Sequence, residues 1–599
     1  MSDTPNAQAN SVFPAHSPLD RLASSWESPD SFFEVLSEVI SESDDRSIIQ
    51  TLVILHQNLG KNILSRSFLL QKDHHAFWGA FSPLLRAAAQ VTPSAEEFLR
   101  LLVHFKNEMG DDGAVGLVIG LAKEFCSTKT CNGVDFLDHC CSVPAERSQF
   151  IPSGIVGLST QSFPNAHACA IALCRESDLE LASSGVFALG LLDYKGHHDE
   201  LVVSINTLKS LTAQSDLAIQ ISTIRSIGNL LTQSPNAELE ELIVVASGIN
   251  NPAQQFWVAH VLHDRITRHT EPWFRLAMEN ITSMPIASVT GLSPVDRLLT
   301  NMLQKDADAV LAYLDAWASK QEFRREMFVF KSLRRALLSH PAELQRFITH
   351  WFASDSINCH HLAANLVADF HLHLTHDQPY SSLTLDPVLI SQCSPEDMEY
   401  IIRKVIGHCF VYPKEMASLI FSVLKCRKHK VETDELLHRY FLSVVFYNFP
   451  GTSASFLNLF ENKGSIRQRR VAKEIQTSAE SYFKTLRDLP HLNEFDPSLI
   501  RLHKYQLAQN RQMQTSMKQT EESGEFIFTK LAKKMPMKAG RAFFFKQRTG
   551  PAKGDVVLTD AMPMKEFTFN FETPRRLSFD PVGCEYDLLI MRTESRKGA

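Results

Sequence analysis

The segment ADFHLHLTHD (Ala368–Asp377) gathers Asp369, His371, His373, His376 and Asp377 in one short stretch. Imidazoles and carboxylates hold divalent cations, and a cation so held can turn bound water into a nucleophile near neutral pH. On a strand, residues two apart point the same way, and His371 and His373 could share one metal; on a helix they lie about 200° apart and could not. A second group, CSTKTCNGVDFLDHCC, brings Cys126, Cys131, His139, Cys140 and Cys141 together with the close-pair-then-distal-pair logic of structural zinc. It lacks a Cys-x-x-Cys knuckle, and adjacent ligands at 139–141 cannot easily all turn inward. A third is basic. KGSIRQRRVAKEIQ places Arg467, Arg469, Arg470 and Lys473 in the first turns of a helix opened by Ser465. Lys533, Lys534, Lys538, Arg541, Lys546 and Arg548 then surround the aromatic run Phe543–Phe545. Cations at a helix start oppose the helix dipole, an arrangement that a bound anion would offset. Basic residues interleaved with aromatics suit a single-stranded nucleic acid, whose backbone is neutralised while its bases stack.

Which chemistry is available depends on the elements that carry these residues. Asp-x-His-x-His resembles the metal-binding opening of amidohydrolase-type and PHP-type barrels, which implies a strand, later ligand-bearing strands and metal-dependent hydrolysis. The residues around the motif point elsewhere. Leu362, Leu366, Phe370 and Leu374 form an i, i+4 row with Ala363 and Val367 beside it, which is a helix pattern, and no strand–helix alternation follows. We therefore expect structural or surface histidines, no metal, no cofactor and no catalytic residue; a metal-dependent hydrolase stands as the second alternative. The cysteines are expected to be buried free thiols. No phosphate loop, His-Glu-x-x-His or Gly-x-Ser-x-Gly motif occurs, and the glycines of GAVGLVIG lie in an apolar helix pattern.

Nearly everything to about residue 535 reads as helix. Start signals recur at Ser28-Pro29-Asp30, Ser94-Ala95-Glu96-Glu97, Ser394-Pro395-Glu396-Asp397 and Asp496-Pro497, where an oxygen can satisfy free amide groups. The middle repeats. LASSGVFALGLL (Leu181–Leu192) and IQISTIRSIGNLL (Ile219–Leu231) align Gly190 with Gly228 at a 38-residue step, and PAQQFWVAHVLHDRI (Pro252–Ile266) follows with similar helical character. Helix pairs at that step resemble the HEAT/armadillo-like superfamily of α-helical repeats, in which each pair buries its apolar face only by stacking on its neighbours. The resemblance is strongest over 150–285; an irregular helical bundle is the competing reading. Phe567, Phe569 and Phe571 alternate with polar residues, and RAFFFKQR, DVVLTD and YDLLIMRT read as short strands. The expected fold is mainly α: an α-solenoid or irregular helical-repeat array with a small C-terminal β-rich module. Its divisions are a disordered tail (1–20), an N-terminal helical region (21–149), HEAT-like repeats (150–450), a basic helical segment (451–539) and the β-rich module (540–599).

The totals set the frame. The 599 residues are 44% hydrophobic and 21% charged, near globular norms. Eleven cysteines, an odd and scattered number, do not form a disulfide framework. Net charge is −7, but residues 461–599 hold 25 Lys/Arg against 17 Asp/Glu, or +8, leaving 35 against 50, or −15, before them. A basic end on an acidic body points to an anionic partner or to docking of the two parts. No apolar run approaches the ~20 residues that cross a bilayer, and no signal peptide opens the chain; a cytoplasmic location without membrane contact is expected. The functional expectation is a non-catalytic intracellular scaffold or adaptor that binds protein partners through its helical surface. The alternative is a nucleic-acid-binding subunit of a DNA/RNA-processing or defence complex, using the basic C-terminal third.

Overall fold

The computed structural model describes residues 17–596 except 92–93, 111, 129, 285–291, 321–328, 374–380, 490–497, 523–533, 540–541, 549–555, 559–561 and 564–571. The chain divides into two compact units, residues 1–343 and 344–599.

Several of the start signals cap helices. In the first unit the Ser28 and Ser94 side chains accept from the amides of Ser31 and Glu97, opening the helices Pro29–Glu42 and Ala95–Met109. In the second, Ser394 and Asp397 form a reciprocal capping box for Pro395–Cys409. The signal at Asp496-Pro497 lies outside the described residues, as does the 1–16 part of the N-terminal tail.

From residue 151 the first unit becomes a regular stack. One row of helices runs Ile151–Ser159, Leu179–Leu191, Leu217–Gln233, Pro252–Asp264, Leu292–Leu303 and Lys331–Ser339, each packed on the next. A second row, Phe163–Leu173, His198–Leu211, Ala237–Ser247, Pro272–Asn280 and Ala307–Ser319, packs in the same succession. This two-row stack is the architecture of HEAT- and armadillo-like helical repeats. The glycines at the 38-residue step set the spacing of the first row. A Cβ on Gly190 would lie 2.4 Å from the Ser226 Cα, and one on Gly228 would lie 2.5 Å from Val261 Cγ2. Only hydrogen fits at either position. The close approach also lets Ser226 Oγ donate to the Val186 carbonyl at 2.6 Å, bonding one repeat to the next.

The second unit is also helical but is closed by its own C-terminal end. The helix Pro581–Thr593 packs on Pro395–Cys409. Arg592 Nε donates to the Gly407 carbonyl at 2.5 Å, and Lys404 Nζ donates to the Arg592 and Glu594 carbonyls at 2.8 and 2.6 Å. The Glu572 carboxylate accepts from the amides of Gly451 and Thr452, both at 2.8 Å, at the start of Pro450–Lys463. Acidic oxygens suit that position because they meet unsatisfied N–H groups and the positive end of the dipole.

The structure corrects the expected C-terminal β-rich module. YDLLIMRT is helical: Asp580 caps Pro581–Thr593 by accepting from the Gly583 amide, Pro581 occupies the first turn, and Cys584 and Leu588 bury one face at i, i+4 spacing. An apolar run of four (Leu588–Met591) had hidden that period. The readings of RAFFFKQR and DVVLTD hold in part: Ala542–Arg548 is a strand paired antiparallel with Lys534–Ala539 and with Val556–Leu558, but the paired segments begin before residue 540 and end well short of 599. They do not make the chain's end a β-rich module. The alternating Phe567, Phe569 and Phe571 lie outside the described residues.

Candidate protein-binding face

Repetition places equivalent side chains one above another. Phe187, Arg225 and Trp257 stand on successive helices of the first row, and Phe187 and Arg225 are one 38-residue step apart. The Arg225 guanidinium carbon lies 3.8 Å from the centre of the Phe187 ring and 4.6 Å from that of Trp257. The cation is therefore held between two aromatic groups, an arrangement worth about 0.5–2 kcal/mol per ring depending on exposure. Burial lowers its pKa, though an arginine stays charged at neutral pH. Among the described residues, no carboxylate or carbonyl is hydrogen-bonded to Arg225.

The ladder continues along the Trp257 helix. The rings of Trp257 and His260 are 5.3 Å apart, and those of Phe256 and His260 4.9 Å apart. Burial lowers the His260 pKa; Asp264 opposes that shift, and Arg297, His263 and Arg225 add to it. Arg297 is exposed. Arg225, Arg297, His260, His263 and Asp264 thus share a neighbourhood. A guanidinium fork matches a carboxylate in plane, and aromatic planes on either side hold it in that orientation. Sequence reasoning missed these residues, although the Gly190–Gly228 alignment that revealed the repeat also superimposes Phe187 on Arg225.

The basic residues read from sequence are differently placed. Arg467 donates to Asp434 at 2.8 Å and to the carbonyls of Leu424, Cys426 and Lys430 at 3.1, 2.7 and 2.8 Å. Arg470 pairs with Glu474 at 3.0 Å and with Asp434. Ser465 and Gln468 form the capping box that opens this helix, Ile466–Arg487. The anion that offsets cations at this helix start is thus the chain's own Asp434. Arg469 and Lys473 are exposed. Lys533 and Arg541 lie outside the described residues; Lys534, Lys538, Lys546 and Arg548 sit in strands whose side chains are not described.

His371 and His373 end the helix Ile357–His373, and the histidine at 376 lies outside the described residues. Leu362, Leu366, Ala363 and Val367 are buried as the helix reading expects. His371 Nδ1 is 3.1 Å from Glu415, which is fully buried. Burial raises the Glu415 pKa, and the neighbouring His371 pulls it back. The histidines that do cluster are His360, His361 and His408: ring centres are 5.5 Å apart for His360 and His408, and 5.2 Å for His361 and His408. Burial, reinforced by Lys404 and His361, pushes His360 down to about 4; burial, reinforced by His360 and His361, pushes His408 down to about 2. Of the cysteines in the zinc-like segment, Cys126 and Cys140 are buried free thiols, the first pushed up to about 12 by burial, which opposes the thiolate that zinc requires; the side chain of Cys131 is not described. Among the described residues no group of three or more His, Cys, Asp and Glu is arranged to hold a metal. No helix among them is long and apolar enough to cross a membrane.

No protein-family model matches the chain, and no curated protein does. Solved structures that match include an engineered protein from a structural genomics consortium (13% identity, 59% of this chain and 99% of that one, TM-score 0.21). A structure from work on a phosphorylation switch in the interaction between cadherin and beta-catenin shares 10% identity over 77% of this chain and 98% of its own, with a TM-score of 0.19. One of the Pds5–Scc1 complex shares 11% identity over 88% and 99%, with a TM-score of 0.22. At those TM-scores the likenesses carry no argument about what this chain binds.

Proposed function

We propose that the protein is a non-catalytic scaffold that receives protein partners on its stacked helical repeats, with Phe187, Arg225 and Trp257 as an anchoring point for an acidic side chain of the partner. The observation that carries this reading is the ring-held guanidinium of Arg225, whose donor edge has no partner among the described residues. Stacked repeats present such groups at regular intervals along an extended surface. The expected divisions 21–149, 150–450 and 451–539 belong to this reading, as does an intracellular setting.

The test is affinity purification of the tagged chain from its native host, with and without nuclease, for the wild type and for Arg225→Gln. Nuclease-resistant protein partners that are lost with Arg225→Gln, while the variant's thermal transition is unchanged, support the reading. Partners indifferent to Arg225→Gln overturn the ladder as the anchor.

A second reading is favoured by one observation, the exposure of Arg469 and Lys473 one helical turn apart on Ile466–Arg487. With Lys533, Lys534, Lys538, Arg541, Lys546 and Arg548 they would contact a nucleic-acid backbone. That binding would weaken steeply with salt, and Arg469→Ala with Lys473→Ala would reduce the salt slope by about two.

A further inference from the structure

Among the described residues, the helix Leu499–Glu522 stands apart from the other long helices. Each of its residues from 499 to 519 is exposed, including Leu499, Leu502, Met513 and Met517. Isolated helices of marginal propensity gain most of their stability by burying an apolar face. This one is rich in glutamine and buries nothing against its own chain over those residues.

Its residues sort into an uncharged seam and a face that carries the cations together with Ile500 and Leu507. Leu499, Leu502, Gln506, Gln509, Met513 and Ser516 alternate three and four apart, the a/d spacing of a two-helix seam. Apart from His503, the positions flanking that seam are uncharged: Tyr505, Asn510, Gln512, Met517 and Gln519. All four cations between 499 and 519 lie on the other side of the helix. Lys504, Arg511 and Lys518 form one line at seven-residue spacing, and Arg501 lies beside it. A partner helix that matched the seam would need neither acidic nor basic flanks, and this helix itself meets that requirement.

We propose that Leu499–Glu522 pairs with the same helix of a second copy of this chain, antiparallel, making the protein a homodimer. In the antiparallel register that aligns a with d, Leu502 meets Met513 of the second copy, and Gln506 meets Gln509 of the second copy. The two glutamine layers are equivalent by symmetry. In each, one amide can donate to the other's oxygen and accept from its nitrogen in return, so the polar groups are satisfied when the seam closes. A polar layer of this kind fixes register at some cost in stability. Antiparallel pairing also sets the helix dipoles head to tail. The four cations stay on the outside of both helices, facing solvent.

The test is light scattering on the full chain in reducing buffer, for the wild type and for the double variant Leu502→Asp, Met513→Asp. Both residues are exposed, so the fold should be kept, and circular dichroism checks it. We expect a dimer whose Kd rises at least ~100-fold in the double variant. Orientation is read by cross-linking. A mixture of Gln506→Cys and Gln509→Cys chains should yield a disulfide-linked pair on oxidation, and Gln506→Cys alone should not exceed the wild type. A monomeric wild type, a dimer unaffected by the double variant, or self-cross-linking of Gln506→Cys would each overturn the proposal.

Discussion

The two units are held together over different lengths of chain. In the first, bonds between repeats span about one repeat: Ser226 to the Val186 carbonyl over 40 residues, Ser183 to Ser222 over 39, Gln233 to the Leu192 carbonyl over 41. In the second, bonds of that length occur too, as from Ser418 to the Ser381 carbonyl and from Tyr440 to Glu399, but others span much more. Arg592 reaches the Gly407 carbonyl across 185 residues, Glu572 caps Gly451 across 121, and Arg596 reaches the Ala353 carbonyl across 243. A stack of neighbours distributes its stability along the chain, so damage stays near its source. In a unit tied by such long-range bonds, the loss of one segment is felt far along the sequence.

The strongest way to break this contrast is to remove residues 572–599. That deletes the Pro581–Thr593 helix, exposes the buried side of Pro395–Cys409 and strands Lys404, which is only 2% exposed, without its two carbonyls. Loss of the packed Cys584 and Leu588 together with these bonds should cost the second unit roughly 5 kcal/mol or more. Hydrogen exchange read by mass spectrometry should show loss of protection through 395–487 and none in 151–264. Equal loss in both stretches would end the distinction.

Gly190→Val tests the other half of the contrast. The added side chain would meet the backbone and side chain of Ser226, where no flexible group can give way. The cost should be about 3 kcal/mol or more, with exchange faster in 163–233 and little changed beyond 292. Chemical denaturation of the same variant measures the loss.

Acid separates the units by a smaller margin. His360 and His408 hold folded pKa values of about 4 and about 2, below the ordinary 6.5. The unfolded chain therefore binds more protons than the folded one as pH falls below 6.5. Stability is complete above that pH, and it declines by roughly 1 kcal/mol per pH unit per histidine between about 6 and 4. Lys404, pushed down to about 8 by burial, and Arg592 are cations against this cluster, and they sharpen the effect. Melting curves from pH 7 to 4.5 should show a steeper fall in the second unit, and His408→Gln should flatten it. A slope unchanged by that substitution would place the acid sensitivity elsewhere.

How far the sequence could carry these conclusions depended on whether a feature was local. Capping at Ser28, Ser94 and Ser394 was legible because the partners lie three residues away. The repeat was legible because Gly190 and Gly228 recur, and with it came the first-row spacing. The Phe187–Arg225–Trp257 ladder was within reach of the same alignment, but Arg225 looks like any surface arginine until the two neighbouring repeats are placed beside it. The C-terminal return was not legible: nothing local links Lys404 to the carbonyls of Arg592 and Glu594, and the run LLIM masked the helix that carries the first of them. His371 and His373 are spaced like ligands, while the histidines that do cluster are His360 and His361 with His408 from another helix.

The smallest effect concerns the basic helix Ile466–Arg487, where sequence put Arg467, Arg469, Arg470 and Lys473 in one class and the fold divides them. Arg467 uses its guanidinium on Asp434 and three carbonyls of the segment 424–430, and its side chain is 18% exposed. Arg467→Ala should lower stability by about 1–2 kcal/mol, since it leaves those three carbonyls without this donor and the mostly buried Asp434 carboxylate with Arg470 alone. Arg469→Ala and Lys473→Ala should each stay within about 0.5 kcal/mol, as surface changes do. Measured side by side in urea, the two results distinguish a brace from a contact surface within one turn of helix. If Arg467→Ala is as silent as Arg469→Ala, the Asp434 carboxylate does not need it, and the four cations return to the single class that their sequence suggested.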